Sequence, residues 1–124
     1  MGAQENKQSA QDAYAAFSNG DAEGAMADID DSIEWTVRGD NALTGVHRGK
    51  EAVGELWGKY LSTSPVTETH EFIAEGNKVV VLNTVTVGSD SVAGADVLTY
   101  NDDGKLIAFD ALGDETVSNR LFPK

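Results

Sequence analysis

The chain has no cysteine. That absence excludes a disulfide framework, a thiolate metal site and a cysteine nucleophile. Histidine is nearly missing too: His47 and His70 stand alone, with no spacing that would join them to a set of carboxylates. Imidazole metal sites bring several ligands together, so no metal is expected. Basic residues are scarce, nine Lys and Arg against 21 Asp and Glu in 124 residues, a formal charge of -12. Nonspecific nucleic-acid binding and anionic membranes both require a basic surface, so neither is an expected partner. No apolar run approaches the roughly 20 residues of a membrane span. The polar start, Gly2 to Gln8, has no apolar core of a signal peptide, and Asn6 stands where myristoylation needs Ser or Thr. These absences point to a soluble, cytoplasmic protein. No Gly-rich loop leads from a strand into a helix and no elbow motif surrounds a serine, so no cofactor and no serine nucleophile are expected.

What is present fits one domain over 1–124, with a core of about 8–115. Hydrophobic residues make up 40% and recur with clear periods, unlike a disordered acidic tail. Ala10, Ala13, Tyr14 and Phe17 share one face of a helix starting near Glu5, which Asn19-Gly20 ends. Asp21 caps a short second helix with Ala22, Ala25, Met26 and Ile29 on its face. A third runs over 50–62, with Val53, Leu56, Trp57, Tyr60 and Leu61 on one side, until Ser64-Pro65 stops it. Gly54 and Gly58 weaken this helix by about 1 kcal/mol each against Ala, so packing must hold it. A short strand is expected over 32–37, and longer ones over 68–74, 78–87, 92–101 and 105–112. Glu75-Gly76-Asn77 and Asp102-Asp103-Gly104 are hairpin turns between them. Helices followed by an antiparallel meander make an α+β fold. The first eight residues and the tail after Val117 are expected to be looser.

Five segments carry a family resemblance: Tyr14-Ala-Ala-Phe-Ser-Asn-Gly-Asp21, Asp30-Asp-Ser-Ile-Glu-Trp35, Arg48-Gly-Lys-Glu-Ala-Val53, Glu75-Gly-Asn-Lys-Val-Val80, and the stretch from Asp96 to Ile107. In this order they resemble the nuclear transport factor two-like superfamily, within it the SnoaL-like and ketosteroid-isomerase-like proteins. The resemblance implies three N-terminal helices packed into a strongly curved antiparallel sheet, a cone with an apolar pocket open at one end. One such fold hosts isomerases, cyclases, dehydratases and noncatalytic binders. Asp96 matches the place where ketosteroid isomerases hold a protonated acid against a developing oxyanion, so the resemblance implies a neutral carboxyl group there. The oxyanion tyrosine of those enzymes aligns with Ala13, one residue before Tyr14, and their proton-abstracting aspartate aligns with Thr36. The chain thus departs from the steroid isomerases at two places.

The expected pocket takes a hydrophobic small molecule, with Tyr14, Phe17, Trp35, Trp57, Tyr60, Leu98, Tyr100 and Leu112 as binding residues. Ordinary core packing is the plainer explanation for any one of these aromatics. Asp96 and Asp110 are the expected catalytic residues, because each interrupts an otherwise apolar strand. If Asp102-Asp103-Gly104 is a three-residue loop, Asn101 faces Lys105, and counting outward sets Asp96 opposite Asp110. Two carboxyl groups so placed should share a proton near neutral pH. A bulge, or a solvent-facing Asp110, would undo that pair. Acid–base isomerisation, ring closure or dehydration would follow if the protein is an enzyme; a carrier or a protein-interaction module are the alternatives. Neither face of the last two strands is plainly polar, so a homodimer through the sheet is expected, with Val85, Val97, Ile107 and Phe109 on the covered face.

Overall fold

The computed structural model describes residues 2–124; Met1, first residue of the expected domain, lies outside the described residues. Helix α1 (Ala3–Ser18) buries Asn6 and Ala10 and turns Ala13, Tyr14 and Phe17 to the same side. It begins two residues before the expected start, so the polar leader is helical rather than loose. Helix α2 (Ala22–Met26) is capped as expected, the Asp21 side chain accepting from the Gly24 amide at 2.9 Å. Strand β1 (Ile29–Val37) forms a hairpin with β2 (Gly45–Arg48), a strand that nothing in its four-residue pattern announces. Helix α3 (Lys50–Leu61) buries Val53, Leu56 and Trp57 but leaves Leu61 41% exposed, at the edge of the expected apolar face. Strands β3 (Val66–Glu75), β4 (Lys78–Val87), β5 (Asp90–Tyr100) and β6 (Leu106–Gly113) follow as a meander. The tail expected to be loose closes with helix α4 (Thr116–Leu121).

All six strands join one curved sheet in the order β2-β1-β6-β5-β4-β3. Neighbours are antiparallel except β1 and β6, which run parallel. The helices cover the concave face. Alternation along β4 turns Val79, Val81 and Asn83 inward, where they are buried with Leu98 and Tyr100 of β5 and with Ala10, Ile33, Val53 and Trp57. Close approach at one end of the β5–β6 pair requires glycine: a Cβ on Gly94 would lie 2.5 Å from the Leu112 carbonyl oxygen.

The β5–β6 turn is the expected one, with the Asn101 amide donating to the Lys105 carbonyl at 2.8 Å. One pair later the register slips. Tyr100 faces Leu106 but Thr99 faces Ala108, so Ile107 is an extra, bulged residue. Beyond it every partner is displaced by one: Asp96 faces Ala111, and Asp110 faces Val97. The expected carboxyl pair therefore does not form, because successive strand residues point to opposite faces. The same slip turns Phe109 inward, where it is 8% exposed, and Val85 lines the interior as well. Of the four residues expected on the covered outer face, these two belong to the inner one.

Candidate functional site

Helices α1 and α3, the concave sheet face and α4 enclose a cavity of about 300 Å³. Its wall is largely apolar and includes a connected group of aromatic rings. Trp35 stacks on Phe109 with centroids 3.7 Å apart and planes 11° from parallel. Trp57 meets Trp35 edge-on at 5.5 Å and Phe17 at 5.1 Å, so α1, α3, β1 and β6 are joined by one aromatic cluster. Tyr14, Tyr60, Leu98 and Tyr100 line the same cavity, as does Leu112 near its exposed end. All eight expected binding residues thus border one space.

Asp96 is the carboxyl group placed among these side chains, while Asp28, Asp90, Asp114 and Glu115 border the cavity elsewhere. It projects from β5 on the face shared with Leu98 and Tyr100. Its Oδ2 accepts two hydrogen bonds, from the Tyr14 hydroxyl and from Asn83 Nδ2, the latter at 2.9 Å. The ring of Tyr14 is steadied by Phe72, which it meets edge-on at 5.7 Å. Among the described residues, Oδ1 of Asp96 has no protein partner, and Asn6 Oδ1 is the one fully enclosed side-chain oxygen or nitrogen without one. Oδ1 of Asp96 therefore opens on the cavity. Burial pushes the Asp96 carboxyl group from 3.8 up to about 6, while the bonds from Tyr14 and Asn83 pull the other way. Burial, reinforced by the Asp96 charge, raises the Tyr14 phenol well above its ordinary range, so its hydroxyl remains a donor. Burial raises the Tyr60 phenol too.

Asp110 lies elsewhere. It sits on the outer face, clasped by Arg38 through two bonds of 2.8 Å from Nε and Nη2. Such a fork occupies both carboxylate oxygens and explains a charged residue in an apolar strand without any role in the cavity. Sequence reasoning passed over Asn83 and assigned Phe109 to the outer face. Asn83 had a usable signal, since it continues the inward series Val79, Val81 at period two. Phe109 had none, because the bulge that turns it inward leaves no mark in the sequence.

Helix α4 supplies the remaining wall through Val117 and Leu121, joined by Phe122 just past its end. Asn119 docks it by accepting from the Asp40 amide at 2.8 Å and from Asn41 Nδ2 at 3.0 Å. The Phe122 carbonyl accepts from the Ala42 amide at 2.8 Å, and Arg120 pairs with Asp90 at the start of β5.

Comparison with solved structures places this arrangement. A protein from a soil-derived mobile gene cassette, Bal32a, is 20% identical and superposes with a TM-score of 0.88 over 97% of this chain and 98% of that one. An NTF2-like protein from Burkholderia xenovorans LB400 is 29% identical, with a TM-score of 0.80 over 98% of each chain. TerC, co-crystallised with polyporic acid, is 23% identical, with a TM-score of 0.81 over 94% of this chain and 97% of that one. Bal32a and TerC show a common fold alone at these identities. No curated protein matches the sequence significantly. A family model, the SnoaL-like domain, matches residues 10–109. That span runs from the first helix through the aromatic cluster and Asp96 to Phe109, and the chain belongs to the SnoaL-like family.

Proposed function

We propose that the cavity binds an uncharged hydrophobic compound bearing a carbonyl or hydroxyl group, and that Asp96 exchanges a proton with it. The observation that carries this is the division of labour within one carboxyl group: Oδ2 is held by Tyr14 and Asn83, and Oδ1 opens on an apolar chamber. A carboxyl group near 6 is mostly ionised at neutral pH yet still basic enough to be reprotonated, as general acid–base work requires. Ionised, Oδ1 takes a proton from a carbon beside the carbonyl or from a hydroxyl. Protonated, it returns that proton elsewhere on the same molecule. Isomerisation, ring closure and dehydration are of this kind, and no electrons change hands in them. The co-crystallisation of TerC with polyporic acid is a small-molecule precedent within the fold.

Exchange of the α-hydrogens of beta-tetralone in deuterium oxide, followed by proton NMR, tests the proposal. The protein should accelerate exchange, with a rate that rises as Asp96 ionises through about pH 6, and Asp96→Asn should not. Binding without acceleration would make the protein a carrier. Failure to bind this or any other apolar carbonyl compound would end the ligand-site proposal and leave a protein-interaction module.

We also propose that the outer sheet face is covered by a second copy of the chain. Val80 and Val97 are cross-strand neighbours on that face, and Ile73 and Val46, turned the same way, are 46% and 43% exposed.

A further inference from the structure

Tyr100 is the most deeply buried of the hydroxyl-bearing residues on the cavity wall. It stands on β5 four residues after Asp96, on the same inward face, and its side chain and backbone together are only 2% exposed. Its backbone is committed, the amide donating to the Asn77 carbonyl at 2.9 Å. Its hydroxyl makes no hydrogen bond to any described residue, yet it is not among the fully enclosed atoms that lack a partner. The hydroxyl therefore opens on the cavity that Tyr100 lines. By contrast, Tyr14 gives its hydroxyl hydrogen to Asp96, and Tyr60 has the Thr67 side chain close by. A phenol that opens on a largely apolar chamber keeps its hydrogen for whatever oxygen fills the space before it.

The surroundings say what kind of acceptor fits. Burial, and then the nearby Asp28 carboxylate, push the Tyr100 phenol upward, so it stays an O–H donor. Asp28 lines the same part of the wall, and its Oδ1 is 3.6 Å from Lys105 Nζ on the outside. The cation on the cavity wall, Arg38, is already held by Asp110. An anionic group near Tyr100 would meet Asp28 with no free positive charge to offset it. Four residues of extended strand separate the Cα atoms of Asp96 and Tyr100 by about 13 Å. The two polar groups thus serve different places on one occupant.

We propose that the Tyr100 hydroxyl is a second anchor, donating to a neutral oxygen at the far end of a flat ring compound whose first oxygen meets Asp96. The ligand class is an uncharged ring system with two separated hydroxyl or carbonyl functions. This rests on the ligand site proposed above and narrows its specificity.

Three rigid probes test it by calorimetry: para-phenylphenol with one oxygen, para,para′-biphenol with two, and the biphenyl analogue with a carboxylate in place of the second hydroxyl. Wild-type protein should bind the diol tightest. Tyr100→Phe should weaken the diol about tenfold, the size of one lost hydrogen bond, and leave para-phenylphenol within twofold. The variant should melt no lower than wild type, since it removes only an unpartnered hydroxyl. In wild-type protein, the Tyr100 ring-carbon resonance beside the hydroxyl should shift with the diol and stay put with para-phenylphenol. Equal weakening of both phenols, or of neither, would overturn the anchor, as would a carboxylate bound as tightly as the diol. If wild type binds none of the three but binds beta-tetralone, the anchor falls and the ligand site stands; if beta-tetralone fails as well, both fall.

Discussion

A carboxyl group among apolar side chains is harder to ionise in the folded protein than in the unfolded one, and Asp96 is where this molecule carries that burden. Its folded value of about 6 exceeds the ordinary 3.8, so the folded state holds the proton over an interval where the unfolded state has lost it. Stability linked to this group is complete below about pH 4, declines as pH rises to about 6, and stays reduced above. The gap corresponds to roughly 3 kcal/mol as an upper figure. Asp96→Asn keeps an oxygen for Tyr14 and Asn83 and removes the charge. In urea unfolding, its advantage over wild type should be about 2–3 kcal/mol at neutral pH and vanish near pH 4. A pH-independent difference would mean that Asp96 titrates normally. Asp96 itself is legible in the sequence, as a charge at an inward position of an apolar strand. Asp110 carries the same local signal and means something else, because an arginine 72 residues away closes on it. Alternation tells which residues share a face; it does not tell which long-range partner neutralises them.

At the scale of elements, what is legible follows period and punctuation. Helices α1 and α3 and the four meander strands have both, and their turns end where Gly and Pro fall. Strand β2 is four residues long and pairs only with β1, while α4 has six residues without a repeating face, so their existence is decided by what they pack against. The Ile107 bulge is the costly omission: one residue out of step exchanges the inner and outer positions of β6. Helix α3 carries a different kind of local conflict. Gly54 and Gly58 lie on its exposed side with open space where a Cβ would stand. Each alanine replacement should raise stability by about 0.5–1 kcal/mol through the unfolded chain's lost freedom. Chemical denaturation of the two single variants and the double one measures this. A destabilised variant would reveal a partner on that helix face.

The whole molecule has one face that its own helices leave uncovered. Association through it, as proposed, should give a sedimenting species of twice 13.1 kDa at micromolar concentration. Each copy carries -12, so added salt should tighten the pair by screening their repulsion. Val97→Glu should yield folded monomer, whereas a wild-type monomer at all concentrations would refute the interface. Phe109, stacked on Trp35 inside, is the wrong place for that test. A last consequence comes from α4. The sheet is held by continuous ladders, but this short wall is held by Asn119, the Arg120–Asp90 and Lys124–Asp40 pairs, one main-chain bond at Phe122 and the packing of Val117, Leu121 and Phe122. Segments with so few ties open locally, long before the global transition, and do so again and again within the lifetime of the native state. On the ligand site proposed above, an occupant would lie against this six-residue helix, so its residence would depend on how often that helix opens.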